Sequence, residues 1–249
     1  HPGHTSALGK PWRSVTAADE IGGLMQGALT QISGPAALQI GYLGHAEQGM
    51  KALNIHEAAA SGGRNIPLYL DPAFGDDAEG IYVSADIVDF YKTVALPRAD
   101  VLMPNRFELA HLSGQPIETA DDAVHAARAV IGPQMVLVSS APVAGDQIGN
   151  LLITRENAWI AAVPRLKLHA KGTGDMLSAA FVALSLTGHL AGANPPDALQ
   201  RAVSLVHLAA KDAAKRGLVE MDVPSALKVL GSAMNLIPAE PLDAGRHGV

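Results

Sequence analysis

Lys171-Gly172-Thr173-Gly174-Asp175 runs directly into Met176-Leu177-Ser178-Ala179-Ala180-Phe181-Val182-Ala183-Leu184. Two glycines in a tight turn leave backbone N–H groups bare at a helix start. Those groups have no partner inside the helix and sit at its positive dipole end, so they suit an anion. A carboxylate fixed beside an anion cradle makes chemical sense if Asp175 takes a proton from a hydroxyl. The amides of Gly172, Thr173 and Gly174 would then hold the phosphoryl group that the hydroxyl attacks. The same residues also spell an ordinary turn followed by a favourable first-turn acid, and spacing alone leaves both readings open.

Three other clusters could join this chemistry. Asp71-Pro72-Ala73-Phe74-Gly75-Asp76 sets two acids on one loop, where Asp71 and Asp76 could hold magnesium directly or through water, or simply punctuate a turn. Pro104-Asn105-Arg106-Phe107-Glu108 has the form of a capping box, with Asn105 at the N-cap and Glu108 three residues on. Alternatively, Asn105 approaches a nucleotide phosphate and Glu108 orders water around magnesium. Ser139 and Ser140 could hydrogen-bond a phosphate or shape a turn, and Tyr42 could stack on an aromatic ring or pack. His1 and His4 form a turn around Pro2-Gly3 with no third ligand nearby, and Lys171 could offset phosphate charge or be a solvated loop lysine.

Composition narrows the field. The 249 residues are 48% hydrophobic and 17% charged, with only 4% aromatics, so one large α/β domain with an aliphatic core is possible. With no cysteine, there can be no disulfide, thiolate nucleophile or Cys-type zinc site. The formal net charge of −6 disfavours nucleic acid and anionic membranes as partners. No apolar run is long enough to span a bilayer and no signal-peptide pattern opens the chain, so a cytoplasmic protein is expected. The chain opens on His1 rather than Met, and further residues upstream are expected. There is no Gly-x-x-x-x-Gly-Lys-[Ser/Thr] loop, and no Gly-x-Gly-x-x-Gly follows a strand.

The elements that must position these residues alternate. Helices are predicted at 17–31 (Thr16 as N-cap), 47–60, 84–94, 106–112, 119–131, 175–187, 197–214 and 225–236. Strands are predicted at 36–42, 66–70, 101–103, 135–138, 150–154 and 158–163, the last two as a hairpin, with 141–149 as a mobile segment and the tail from 237 to 249 frayed. Short, continuously apolar strands between helices indicate a mostly parallel sheet covered on both faces. Ligands in such sheets bind beyond the carboxyl ends of the strands. Asp71, Asn105 with Glu108, and Ser139-Ser140 each stand at such an end.

Ile40-Gly41-Tyr42-Leu43-Gly44, Asp71 to Asp76, Tyr82-Val83, Leu96-Pro97-Arg98-Ala99-Asp100, Pro104 to Leu109, Val136 to Ser140 and Gly172 to Asp175 occur in the order found in the pyridoxal kinases of the ribokinase superfamily, and the chain resembles them from His1 to about Lys215. The resemblance implies a single ribokinase-like domain over 1–249, a three-layer α/β/α sandwich with a central mostly parallel sheet. It implies ATP- and Mg2+-dependent phosphorylation of the 5′-hydroxyl of pyridoxal, and of pyridoxine and pyridoxamine, in vitamin B6 salvage. Asp175 matches the base and Gly172, Thr173 and Gly174 the anion hole. Asn105 and Ser139 match nucleotide-binding residues, with Ser140 beside them. Asp76 and Glu108 match residues around the phosphates and metal, with Asp71 at the same end, and Tyr42, His1 and Pro2 match positions around the pyridine ring. A homodimer and use of K+ are further implications. The alternatives are a hydroxymethylpyrimidine or sugar kinase, or a silent B6- or nucleotide-binding protein; the hydroxymethylpyrimidine phosphate kinases usually carry Cys where Asp175 stands. Family members also have an upstream first strand and a Gly-His-x-Gly-Asn-type loop that the sequence does not contain, which predicts a gap inside the sheet.

Overall fold

Residues 14–167, 171–191, 194–228 and 235–242 are described by the computed structural model of the chain. The apolar runs fold into strands whose successive side chains enter opposite layers, as the two-residue period of a strand requires. Strands β1 (Leu38–Ile40), β2 (Leu68–Leu70), β5 (Val101–Leu102) and β6 (Met135–Ala141) are parallel neighbours. Strands β7 (Gln147–Thr154), β8 (Ala158–Pro164) and β9 (Glu240–Pro241) continue the sheet antiparallel, in the order β1-β2-β5-β6-β7-β8-β9. A separate two-stranded hairpin, β3 (Gly75–Asp76) and β4 (Gly80–Ile81), stands at the end of β2.

The helices are α1 (Ala18–Gln31), α2 (Ala46–Ser61), α3 (Ala85–Asp89), α4 (Arg106–Ser113), α5 (Ala120–Ala129), α6 (Thr173–Ala191), α7 (Pro195–Arg216) and α8 (Val223–Leu227). Leu68, Leu70, Leu102, Val136 and Val138 pack with residues of α2, α3, α4 and α5 on one face. Tyr69, Val101, Met103 and Leu137 pack with Leu177, Phe181, Leu199 and Val203 of α6 and α7 on the other. This is the expected α/β/α sandwich.

Several expectations need correction. The described strands pair without interruption, so no gap opens inside the sheet, and β1 is the end strand of that order. The N-cap of α1 is Ala17, with no side-chain cap; the Thr16 carbonyl instead accepts from Gln48 Nε2 at 2.7 Å. Helix α3 passes at Phe90 into a π-helical turn, Phe90–Ala95, which brings Phe90, Tyr91 and Ala95 all into the core. The loop predicted at 141–149 shrinks to 142–146, because β6 reaches Ala141 and β7 starts at Gln147. Helix 225–236 is present only as α8, and 229–234 lie outside the described residues. The segment read as a frayed tail contains β9, whose Glu240 and Pro241 pair with Ile160 and Trp159; 243–249 lie outside the described residues.

Candidate active site

The anion loop is built by one backbone requirement. Gly172 sits at φ +97, a left-handed conformation that side chains disfavour. The first rung of α6 runs from the Met176 amide to the Gly172 carbonyl at 3.0 Å. The amides of Thr173, Gly174 and Asp175 therefore precede the ladder and have no helical acceptor. Asp175 is exposed and lines a cavity of about 590 Å3 together with Lys171 and Gly172. From there the cavity follows α6 past Met176, Ala179, Ala183 and Leu184 to an apolar wall completed by Leu205, Met221 and Leu227. Asp175, the glycine that turns the loop and an apolar slot thus share one opening, at the start of the helix whose first amides have no helical acceptor.

The strand ends converge on the same place. Asp71 follows β2 and is 8% exposed. Burial pushes its carboxyl up to about 7, a hydrogen bond from Ser178 of α6 pulls it back, and the charge of Asp175 adds to the rise. Ser178 Oγ donates to the Gly174 carbonyl at 3.1 Å, which sets a hydroxyl of α6 beside Asp71. Desolvation raises the Tyr82 phenol, and the charges of Glu108, Asp76, Asp71 and Asp175 raise it further. Four acids from three segments therefore act on one phenol.

Asn105 and Glu108 form the capping box that their spacing spells. The Glu108 amide donates to Asn105 Oδ1 and the Asn105 amide to Glu108 Oε2, both at 2.9 Å. The box also reaches across the fold. Glu108 Oε1 accepts the amides of Phe74 at 2.9 Å and Gly75 at 3.3 Å, and Asn105 Nδ2 donates to the Gly75 carbonyl at 2.8 Å. One carboxylate thus fixes the start of α4 and the base of the β3–β4 hairpin together. Gly75 must be small there, because a Cβ would lie 2.5 Å from the Phe107 ring and 2.8 Å from the Gly80 carbonyl. Burial pushes Glu108 up to about 8, against the pull of these three amides and with the charge of Asp71 adding to the rise.

Asp76 spends Oδ1 on the amides of Ala78 and Glu79, at 2.8 and 2.7 Å, which is the turn role. Ser139 pairs through its backbone with Asn105, placing both together at adjacent strand ends. Ser139 and Ser140 do not stop β6, as the sequence suggested. They form an irregularity within it, between Val138 and Ala141, with Ser140 at φ +58. A second non-glycine residue in the left-handed region is Ala73 at φ +41, between Asp71 and Asp76; such strain gathers where a fold holds a site in place. Tyr42 is 37% exposed beyond β1, next to Gly41, whose carbonyl accepts the Tyr91 hydroxyl. His1 and Pro2 lie outside the described residues.

Magnesium can be tested against this set. Among the described residues, no three metal-ligating side chains form a cage. Magnesium does not need one, since it keeps several waters and takes one or two carboxylates with substrate phosphates. Glu108 accepts three of the roughly four bonds a carboxylate can take, leaving one lone-pair direction on Oε2. Asp71 and Glu108 are buried acids, each raised by burial, with the charge of Asp71 raising Glu108 further, a charge distribution that a divalent cation completes. The residues fit.

The two raised carboxyls set a stability profile. In the metal-free fold they keep protons to about 7 and about 8, whereas an unfolded chain releases them near 4. Their contribution is therefore fully present below pH ~4 and is lost as pH rises through those folded values. The thermal midpoint of metal-free protein should fall between pH 5 and 8.5 by at least ~3 °C, at ~2–4 °C per kcal/mol. Asp71→Asn should flatten part of that slope; a midpoint that climbs over the window would contradict the buried-acid account.

Sequence reasoning missed Ser178, Glu79 and Tyr82. Ser178 carried a signal: it stands one helical turn after Asp175, on the face of α6 that a neighbouring strand end meets. Tyr82 stood among the segments that carry the resemblance but with no role attached, and Glu79 carried no signal, because the hairpin whose turn presents it has strands of two residues.

The architecture and the loop-plus-acid site define an α/β small-molecule kinase. The phosphomethylpyrimidine kinase family matches residues 25–223. A pyridoxal kinase PdxY of Rubrobacter xylanophilus is 32% identical over 229 residues, 88% of this chain and 77% of that protein. A pyridoxine/pyridoxal/pyridoxamine kinase of Bordetella bronchiseptica is 35% identical over 175 residues, 68% of this chain and 60% of that protein. In fold, the chain is similar to the pyridoxal kinase of Leishmania donovani solved with ADP and pyridoxamine, with a TM-score of 0.81 at 22% identity over 97% of this chain and 86% of that one. The chain belongs to the phosphomethylpyrimidine kinase family, and within it to the pyridoxal kinases. Among the described residues, no helix is long and apolar enough to cross a membrane.

Proposed function

We propose that this chain phosphorylates the 5′-hydroxyl of pyridoxal, and of pyridoxine and pyridoxamine, with ATP and Mg2+. The observation that carries the reading is the shared opening of Asp175, Gly172 and the apolar slot, at the start of the helix whose first amides have no helical acceptor. The Leishmania relative solved with ADP and pyridoxamine supports the choice of both substrates. Phosphoryl transfer asks for positioning and charge neutralisation more than covalent chemistry.

In this reading, the apolar wall along α6 takes the adenine. The amides of Gly172, Thr173 and Gly174, joined by that of Asp175, receive the terminal phosphoryl oxygens, and Gly172 gives the turn that exposes them. Asn105, beyond β5, and Ser139 and Ser140, at the irregularity in β6, line the path of the other phosphates. Asp71 holds the magnesium side, with Asp76 and Glu108 acting through water; the ion, when bound, neutralises phosphate charge. The Asp175 carboxylate accepts the proton of the substrate hydroxyl as the hydroxyl oxygen attacks the terminal phosphorus and the bond to ADP breaks, with ADP leaving. Tyr42 flanks the pyridine ring, and His1 and Pro2 are assigned to the same side.

A coupled ADP-release assay with pyridoxal, hydroxymethylpyrimidine and ribose tests the reading. Pyridoxal should give the highest kcat/KM. Preference for hydroxymethylpyrimidine or ribose would move the chain to another branch, and ADP release with none of the three would leave a binding protein.

A further inference from the structure

Lys171 stands immediately before the anion loop, and nothing in the reaction described so far uses it. Its backbone is pinned on both sides: its amide donates to the Val219 carbonyl at 3.0 Å and its carbonyl accepts from the Met221 amide at 3.1 Å. Its Nζ reaches 92 residues back along the chain to Glu79 Oε1 at 2.6 Å. Glu79 belongs to the turn that Asp76 caps, so the ammonium lies across the gap between the anion loop and the β3–β4 hairpin. Among the described residues that line the cavity, Lys171 is the only cation, and it borders the opening beside Gly172 and Asp175.

The charge balance of this opening needs a cation. Asp175 and Glu220 line it, Asp76 and Glu79 act on the same ammonium, and a nucleoside triphosphate must bring several more negative charges among them. Magnesium offsets part of this. The guanidinium of the nearby Arg106 is committed, since it donates to Asp77 and to the Ile117 carbonyl. The Lys171 ammonium is held on the surface, with its side chain 46% and that of Glu79 51% exposed. A pair so exposed gains little and exchanges readily for a stronger anion.

We propose that Lys171 is a nucleotide-binding residue, whose ammonium leaves Glu79 to contact the polyphosphate of the bound nucleotide, with Glu79 parking it over the anion loop until then. This deepens, and rests on, the assignment of the cavity to ATP. A purely structural clasp between loop and hairpin would use the same ion pair, but it predicts a different outcome when the acid is removed. If the pair is a clasp, losing either partner weakens nucleotide binding alike. If Glu79 competes with the phosphates, losing Glu79 favours the nucleotide.

The test is calorimetric titration of ATP with Mg2+, and separately of adenosine, into the wild-type chain, Lys171→Gln and Glu79→Gln. Loss of one charge-assisted contact should raise the ATP Kd about tenfold in Lys171→Gln, with adenosine affinity unchanged. Glu79→Gln should bind ATP as tightly as the wild type or up to about threefold tighter, since a surface pair of this kind competes only weakly. Lys171→Arg should recover part of the loss. An unchanged ATP Kd in Lys171→Gln, or equal weakening in both glutamine variants, overturns the proposal. Titration also separates this inference from the reaction assigned above: a chain that binds ATP through Lys171 but phosphorylates no B6 vitamer would remove the reaction and leave the inference standing. A wild-type chain that binds no ATP would end both.

Discussion

Asp175→Ala should lower kcat for pyridoxal by about three orders of magnitude, within the ~10^2–10^4-fold range that general bases contribute. The ATP Kd should stay within about threefold, because the amides that receive phosphate belong to the backbone and survive the change. Asp175 is exposed at the cavity mouth, so the variant should melt close to the wild type. A second readout comes from its neighbour. The charge of Asp175 is one of the causes raising Asp71, so removing it should lower the Asp71 carboxyl and soften the fall of stability with pH. Single-turnover measurement with saturating ATP isolates the chemical step. If the alanine variant transfers phosphate at the wild-type rate, another group takes the proton and the assignment of Asp175 fails.

That such a prediction was possible from residues alone reflects how local the anion loop is. A glycine that can take φ +97, free amides and an acid in the first turn are all decided within a few residues of sequence. The strand ends were legible for a different reason: in a parallel sheet, the carboxyl ends fall on one edge whatever the register. Asp71, Asn105 and Glu108 could therefore be placed together before any coordinates. What stayed hidden depends on long-range register. Glu108 was readable as a cap, but its second task, holding the Phe74 and Gly75 amides, requires the β2 loop to lie over α4. The Lys171–Glu79 and Ser178–Asp71 contacts have the same character. The two serines after Val138 looked like a strand end because Ser rarely continues a buried strand. The irregularity around Ser140 lets β6 run on to Ala141 while still turning polar atoms toward the site.

The largest stability effect should come from Glu108→Ala. Three amides, of Phe74, Gly75 and Asn105, now donate to one side chain that is 2% exposed. Truncation leaves them without that acceptor in the buried interior, and each such loss costs about 1–3 kcal/mol. Relief from burying a carboxyl with a raised pKa offsets part of this, so a net loss of about 3 kcal/mol is expected. At ~2–4 °C per kcal/mol, the thermal midpoint should drop by roughly 6–12 °C. Function should suffer along with stability, because the same bonds aim Asn105 and seat the hairpin that carries Asp76; the KM for ATP should rise even well below the melting range. Glu108→Gln separates shape from charge. Its oxygen can still serve Phe74 and Gly75, but its amide group meets the Asn105 N–H donor to donor. The glutamine variant should therefore lose less than half as much stability as the alanine variant, yet still bind ATP more weakly, because one end of the brace is lost. An alanine variant that melts within about 2 °C of the wild type, a shift of under ~1 kcal/mol, would mean that these amides find other acceptors, and that Glu108 is an ordinary cap rather than the joint between strand end and hairpin.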